Sequence, residues 1–151
     1  MSTKKEGERI LLVCSGNTCR SPMAKVILEQ KLKELGHLNR FEIDSAAFNG
    51  TRHSGASDTA RAAIKKIYGQ DLLASHKSKK LTTKLTEQAD IILAMTGGIK
   101  NGLPPEKSWT LKEYAGRSGD ISDPYGENLE SYLECAREIS DLMDRIVTKL
   151  G

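Results

Sequence analysis

Cysteine is scarce in this sequence, which has Cys14, Cys19 and Cys135 among its 151 residues. A small and odd number argues against the disulfide framework of small secreted domains and favours a reducing compartment. We therefore expect a cytoplasmic protein. Residues 1–8 are polar and charged and contain no apolar core of the kind that a secretory signal needs. We expect these eight residues to form a flexible polar tail.

Long hydrophobic runs and a strong net charge are also missing. The longest apolar runs have four or five residues, whereas a membrane-spanning helix needs about 20, so we expect no membrane segment. The net charge is +3, and no basic block is interleaved with aromatic residues, so nucleic-acid binding has little support. His37, His53 and His76 share no metal-ligand spacing, and Cys14 with Cys19 would make only half a zinc site. We expect neither a metal nor another cofactor.

The patterns that are present predict one α/β domain over residues 9–151. Hydrophobic residues make up 38% and charged residues 28% of the chain, as in globular proteins. Short apolar runs predict four strands, and longer stretches with helical periodicity alternate with them. The strands are predicted at 10–13, 41–44, 90–95 and 109–111, and the main helices at 23–35, 58–68 and 128–150, with a short helix ending at Gln88. Alternating strands and helices indicate a four-stranded parallel sheet with helices on both faces.

A buried strand, a tight loop and a helix start follow one another at residues 10–22. The loop reads Cys14-Ser15-Gly16-Asn17-Thr18-Cys19-Arg20, and Pro22 suits the first position of a helix. In such a series the backbone N–H groups point inward and the helix dipole adds positive partial charge, so the loop forms a cradle for an anion. The same field favours the thiolate form of Cys14, and Arg20 supplies a planar fork for two phosphate oxygens. The Cys-x5-Arg spacing is weak alone, but in this context it predicts phosphoryl transfer to cysteine.

An acid is also needed, because the leaving group must take a proton and the attacking water must later lose one. The segment Asp120-Ile121-Ser122-Asp123-Pro124-Tyr125-Gly126 offers two aspartates. Asp123 is the better candidate because Pro124 fixes the chain beside it. Tyr125 is placed to line the mouth of the pocket. The competing interpretation of this segment is an ordinary Asp-Pro turn.

The stretch Val13-Cys14-x-Gly16-Asn17-x-Cys19-Arg20-Ser21-Pro22, followed about a hundred residues later by Asp123-Pro124-Tyr125, resembles the low-molecular-weight protein tyrosine phosphatase family. The resemblance covers roughly residues 9–150. It implies a four-stranded parallel sheet, a metal-free reaction and a phosphocysteine intermediate. It also implies phosphorylated proteins as substrates, and we expect a monomer.

The resemblance implies a role for each residue that matches the family pattern. Cys14 would be the nucleophile, and Asp123 the acid and then the base. Asn17 would also brace the loop, and Ser21 would donate a hydrogen bond to the Cys14 thiolate. The phosphoryl group would be held by Arg20 and by the loop residues Ser15, Gly16, Asn17, Thr18 and Cys19. Ser45 and His76 match positions of the family's supporting network.

Thr18 bears on the substrate. Tyrosine-specific members commonly have an aliphatic residue, often isoleucine, at this position, and Gly16-Asn17-Thr18-Cys19-Arg20 resembles the bacterial protein-arginine phosphatase subgroup. A phenyl ring gains from an apolar wall, whereas the polar N–H groups of a guanidinium are penalised by one. The threonine hydroxyl can accept a hydrogen bond from such a group. Tyr125 and Phe48 could stack on either substrate, so they do not discriminate.

Other interpretations stay open. A protein tyrosine phosphatase of the same fold and mechanism is the main alternative to a phosphoarginine phosphatase. A thioredoxin-coupled arsenate reductase needs further cysteines to relay a disulfide, and none occurs between Cys19 and Cys135. A non-catalytic phosphate-binding module would not need Cys14, Arg20 and Asp123 together. We interpret Cys19 either as a redox partner of Cys14 or as a packing residue, and Cys135 as packing.

Overall fold

The computed structural model describes residues 7–51 and 54–151, so residues 1–6 of the predicted tail and His53 lie outside the described residues. Glu8 already belongs to the first strand. The strands are β1 (Glu8–Cys14), β2 (Phe41–Ala47), β3 (Ile91–Ala94) and β4 (Ser108–Thr110). The helices are α1 (Arg20–Glu34), α2 (Asp58–Tyr68), α3 (Thr83–Gln88), α4 (Gly97–Lys100), α5 (Leu111–Tyr114) and α6 (Leu129–Leu150). Short 3₁₀ turns occupy Leu38–Arg40 and Pro105–Lys107.

The four strands form one parallel sheet in the order β2-β1-β3-β4. Cys14 pairs with Ala47 at the end of β1, and Val13 pairs with Ala94 of β3. The predicted four-stranded parallel sheet is therefore confirmed. Since β1 lies inside the sheet, the loop that follows it emerges between two neighbouring strands, where parallel sheets usually bind their ligands.

Both faces of the sheet are covered, as predicted. Along β1, Ile10, Leu12 and Cys14 face one core, which is completed by α1, α2, α5 and α6. Leu11 and Val13 belong to a smaller core that also includes Ile99, Leu103 and the partly buried Leu85 on the opposite side. Such alternation is expected of a strand whose successive side chains point to opposite faces. Burial of each large aliphatic side chain stabilises the fold by about 1.5–3 kcal/mol.

Side chains or glycines cap the ends of the longer helices, except at the N-terminus of α1, where no side chain caps the helix. Ser57 caps α2 by accepting a hydrogen bond from the Ala60 amide, and Asn128 caps α6 in the same way. Gly69 ends α2 with a φ of 77°, a conformation that glycine adopts without steric cost. Pro22 is the third residue of α1 rather than its first, because the helix begins at Arg20. The first-turn amides of a helix lack intrahelical partners, so proline is tolerated there as well.

No helix formed by residues 7–51 and 54–151 combines the length and the apolar character that crossing a bilayer requires.

Candidate functional site

Eight predicted residues meet in one pocket at the carboxyl ends of the strands. Cys14 is the last residue of β1, and Arg20 is the first residue of α1. The loop between them forms most of the pocket wall, and a segment of the long connection before α6 closes the other side. The lining residues are Cys14, Ser15, Gly16, Thr18, Cys19, Arg20, Asp123 and Tyr125. The structure thus brings together residues more than a hundred positions apart in the chain.

Two hydrogen-bond donors converge on the sulfur of Cys14, which is 2% exposed. The Asn17 amide N–H donates to Cys14 Sγ at 3.2 Å. Ser21 Oγ lies 2.9 Å from the same sulfur and already accepts a hydrogen bond from Asn17 Nδ2 at 2.8 Å. The Ser21 hydroxyl proton is therefore free to point at the sulfur. The Asn17 amide and the Ser21 hydroxyl thus hold the sulfur in place where the loop begins.

Asn17 braces the loop from behind and does not line the pocket. It is fully buried, and its φ of 57° places it in the left-handed region, which asparagine visits more readily than most residues. Its Nδ2 donates to Ser21 and, at 2.9 Å, to Ser45 Oγ. Its Oδ1 accepts a hydrogen bond from the Lys79 amide at 3.0 Å. One side chain thus connects the loop to α1, to β2 and to the segment before α3.

The carbonyl oxygen of Asn17 is held as well. His76 Nε2 lies 3.0 Å from it, and Ser78 Oγ donates to it at 2.7 Å. Burial lowers the pKa of His76, which favours the neutral ring, and a neutral ring donates to this carbonyl only in its Nε2–H tautomer. Ser45 and His76, which the resemblance expects to support the loop, both contact Asn17. Ser78 and Lys79 were missed because no sequence motif marks them.

Arg20 is nearly buried, with 4% of its surface exposed. Its Nη1 donates to the Ile121 carbonyl at 2.9 Å, and its Nη2 lies 3.5 Å from Asp123 Oδ2. The buried Nε–H has no hydrogen-bond acceptor among residues 7–51 and 54–151. An oxyanion in the pocket is a suitable acceptor for this group, because buried donors without partners are costly. The Ile121 contact was also missed, since sequence gives no signal for a backbone carbonyl that orients a side chain.

Asp123 stands at the wall of the pocket with about half of its side chain exposed (46%). Its Oδ1 accepts a hydrogen bond from the Tyr125 amide at 3.1 Å, the Asx-turn pattern that aspartate commonly forms. The other carboxylate oxygen is the one that faces Arg20. Tyr125 is 38% exposed at the mouth of the pocket. The neighbouring Asp120 is engaged elsewhere, since its Oδ1 accepts a hydrogen bond from the Gly97 amide.

Thr18 and Cys19 are buried in the pocket wall, with 4% and 3% of their surface exposed. The Thr18 hydroxyl has one sulfur neighbour, Cys19 Sγ at 3.7 Å. Cys14 and Cys19 are both free thiols in this structure. Cys135 is a buried residue of α6, where desolvation raises the pKa of its thiol to about 12. That environment agrees with the packing interpretation of Cys135, since a buried thiol that stays protonated is unreactive.

Phe48 takes a different position from the one that substrate stacking requires. Its ring packs on the smaller core of the sheet and lies directly against Gly102. The contact is so close that a Cβ atom added at Gly102 would lie 2.4 Å from the Phe48 ring. The prediction that Phe48 could stack on the substrate is therefore wrong. Its backbone still supports the loop, because the Phe48 amide donates to the Cys14 carbonyl at 2.8 Å. The following Asn49 donates through its amide and its side chain to Ser15.

The groups that line the pocket are suited to reactions of an oxyanion. A sulfur with two donors lies beside the loop amides, a guanidinium and a carboxylate, an arrangement suited to holding a tetrahedral anion and moving a proton. Within the described part of the chain, no group of three or more His, Cys, Asp and Glu side chains is placed to hold a metal ion.

Comparisons of the sequence and of the structure with known proteins point to one family of phosphatases. The family model described as low molecular weight phosphotyrosine protein phosphatase matches residues 9–151. A protein-arginine-phosphatase of Geobacillus stearothermophilus is 38% identical over 149 residues, covering 94% of this chain and 95% of that protein. The low molecular weight protein-tyrosine-phosphatase PtpB of Staphylococcus epidermidis is 31% identical, covering 93% and 98%. The crystal structure of a low molecular weight protein tyrosine phosphatase from T. tengcongensis superposes with a TM-score of 0.87 at 40% identity, covering 95% and 99%.

Proposed function

The chain belongs to the low molecular weight phosphotyrosine protein phosphatase family, and from that premise we propose that it hydrolyses phosphoarginine in proteins through a phosphocysteine intermediate. Cys14 is the nucleophile, Arg20 and the loop amides hold the phosphoryl oxygens, and Asp123 moves the proton. The reaction requires chiefly positioning and electrostatic stabilisation of the phosphoryl group. A cytoplasmic location and a monomeric state stay predictions.

In the first step, the Cys14 thiolate attacks phosphorus, the S–P bond forms and the P–N bond to the arginine side chain breaks. Asp123 gives its proton to the departing nitrogen, so the leaving group departs as a guanidinium. The Asn17 amide and the Ser21 hydroxyl contact the sulfur and orient it toward phosphorus as it attacks. Arg20 and the loop amides carry the charge on the three non-bridging oxygens.

In the second step, water attacks the phosphocysteine and the S–P bond breaks. Asp123, now ionised, takes a proton from the water as it attacks. Inorganic phosphate is released and Cys14 returns as a thiolate. The exposed position of Asp123 at the pocket wall supports this exchange of roles, because the carboxylate must meet first the leaving group and then water.

Thr18 is the observation that favours arginine over tyrosine. Its buried side chain lines the pocket beside Cys14 and Arg20, at the position where the resemblance implies an aliphatic residue in tyrosine-specific members of the family. A hydroxyl at this place can accept a hydrogen bond from a guanidinium N–H, which an aliphatic wall would leave without a partner. The Geobacillus protein named a protein-arginine-phosphatase supports the same choice.

Phosphotyrosine is the second candidate substrate. The Staphylococcus relative is named a protein-tyrosine-phosphatase, and Tyr125 stands exposed at the mouth of the pocket. A tyrosine ring can stack on a phenol about as well as on a guanidinium. This candidate shares the whole mechanism and differs only in the leaving atom, which is oxygen instead of nitrogen.

Thr18→Ile tests the choice between the two substrates. We expect the wild type to prefer phosphoarginine peptides, and the variant to lower the ratio of kcat/KM for phosphoarginine over phosphotyrosine by about tenfold or more, because the hydrogen-bond acceptor is lost. Turnover of matched peptides in one metal-free buffer measures the ratio, with Cys14→Ser as the blank. A wild type that prefers phosphotyrosine, with a ratio unchanged in the variant, would make the chain a tyrosine phosphatase.

Cys19 as a redox partner is a separate proposal. Peroxide should inactivate the enzyme through a Cys14–Cys19 disulfide, and dithiothreitol should restore the activity, because a disulfide blocks oxidation to irreversible sulfinic acid. Activity before and after reduction measures the recovery, and Cys19→Ser is the control that should not recover. Wild-type inactivation that dithiothreitol cannot reverse would count against the proposal.

A further inference from the structure

The thiol of Cys19 contacts a buried tyrosine that lies far away in the sequence. Cys19 Sγ is 3.2 Å from the hydroxyl oxygen of Tyr132 on α6, and the two residues are 3% and 2% exposed. Ser57, the N-cap of α2, completes the contact, with Oγ 3.5 Å from the Tyr132 hydroxyl and 3.6 Å from the sulfur. Three buried or partly buried polar groups from three parts of the chain therefore meet behind the phosphate-binding loop.

The direction of donation follows from the capping of α2. Ser57 Oγ accepts a hydrogen bond from the Ala60 amide, so its own proton is available to the Tyr132 oxygen. The Tyr132 proton then points to Cys19 Sγ. Burial, and after it the hydrogen bond to Cys19, raise the pKa of Tyr132 to about 12, so the hydroxyl keeps this proton at neutral pH.

Cys19 lies in the loop between Thr18, which lines the pocket, and Arg20, which carries the guanidinium, so a displacement of Cys19 would move both neighbours. It is flanked by Thr18, whose carbonyl accepts a hydrogen bond from the Ser57 amide at 3.0 Å, and by Arg20. The Cys19 carbonyl accepts a hydrogen bond from the Met23 amide in the first turn of α1. A rotation of the Cys19 side chain would therefore act on the part of the loop that carries both the pocket wall and the guanidinium.

We propose that Tyr132 is a positioning residue for the reaction, whose hydroxyl holds the Cys19 thiol and thereby the Thr18–Arg20 part of the loop in the conformation that receives the phosphoryl group. Tyr132 is not one of the described residues that line the pocket, so it acts through Cys19. The inference rests on the proposed function only in taking this loop as the phosphoryl site. It holds equally for a phosphoarginine or a phosphotyrosine substrate.

A double-mutant cycle on turnover tests the inference. Tyr132→Phe keeps the ring and removes the hydroxyl, and we expect kcat to fall by about threefold or more with KM changed less than about twofold, since misplaced groups cost rate more than ground-state binding. In a Cys19→Ala background the same change should have little further effect, because residues that act through one contact are not additive. Tyr114→Phe is the matched control, since Tyr114 is also buried but packs edge-on against Trp109, and its kcat should stay at the wild-type value.

A second readout does not depend on activity. The rate at which iodoacetamide alkylates Cys19, followed by mass spectrometry, should rise by about threefold or more in Tyr132→Phe, because the thiol loses the nearest of its polar partners. Unchanged kcat and unchanged alkylation, or effects that add fully in the cycle, would overturn the inference. A wild type without phosphatase activity would overturn the proposed function instead, and alkylation would then still show whether Tyr132 holds the Cys19 thiol. If Tyr132→Phe fails to fold, Cys19→Ser should keep more turnover than Cys19→Val, and equal losses would overturn the inference.

Discussion

Replacing Asp123 by asparagine is expected to lower kcat by about 10²–10⁴-fold, the usual contribution of a positioned general acid and base. Asparagine keeps the oxygen that accepts the Tyr125 amide, so the turn around Pro124 should keep its shape. What the variant loses is the ability to carry a proton in either step. It also loses a negative charge 3.5 Å from Arg20, so inorganic phosphate should inhibit the variant as well as it inhibits the wild type, or slightly better.

Asp120→Asn is the matched control for this prediction. Asp120 lies three residues before Asp123 in the same connection, but its carboxylate accepts the Gly97 amide and it is not one of the described residues that line the pocket. We expect its kcat to stay within about threefold of the wild type, because an asparagine oxygen can accept the same hydrogen bond. If Asp120→Asn loses turnover and Asp123→Asn does not, the assignment of the acid is wrong.

The leaving group offers a further check on the role of Asp123. For an aryl phosphate with an acidic leaving group, departure needs little help from a proton. In Asp123→Asn, kcat/KM for such a substrate should therefore fall much less than for a phosphoarginine peptide, since kcat/KM reports the steps up to cysteine phosphorylation. An equal loss with both substrates would indicate that Asp123 binds the substrate rather than protonating the leaving group.

The sheet was predictable because its signals are local. The apolar runs before Cys14 and around Ile92 have the length of buried strands, and both became central strands. The ends were less accurate, since β2 continues to Ala47 and the last strand stops at Thr110, one residue before the predicted end. The helix that follows, α5, was missed although Thr110-x-x-Glu113 forms a capping box there, a signal that the sequence contained.

The sequence indicated some residues of the site and gave no signal for others. Cys14, Arg20 and Asp123 carry chemistry that constrains residue type and spacing, so sequence points to them. Ile121, Ser78 and Lys79 act through backbone groups or single hydrogen bonds, which many residue types could provide. The contact of Cys19 with Tyr132 joins positions 113 residues apart, and only the packing of α6 against the loop creates it. Partners that tertiary packing selects leave no local pattern.

Asn17→Ala is expected to destabilise the fold by about 3–5 kcal/mol, one of the largest effects of any single change in this chain. The change removes two hydrogen bonds to Ser21 and Ser45 and one from the Lys79 amide. Each buried polar group left without its partner costs about 1–3 kcal/mol. Alanine in the left-handed backbone conformation at a φ of 57° adds about 1–2 kcal/mol. Urea unfolding measures the loss, and Tm should fall by about 10 °C in a domain of this size.

Asn17→Gly separates the side-chain network from the backbone. Glycine adopts the left-handed conformation freely, so it should recover about 1 kcal/mol of the loss but none of the hydrogen bonds. Asn128→Ala is the matched control, because the Asn128 side chain also accepts a hydrogen bond from one amide, that of Ser131, but at an exposed helix cap. Its removal should cost only about 1 kcal/mol.

The Ser21 hydroxyl would no longer be oriented toward Cys14 in either Asn17 variant, so kcat should fall by about tenfold or more even where the protein is fully folded. A glycine variant with the stability and turnover of the wild type would show that the loop holds its shape without the side chain of Asn17.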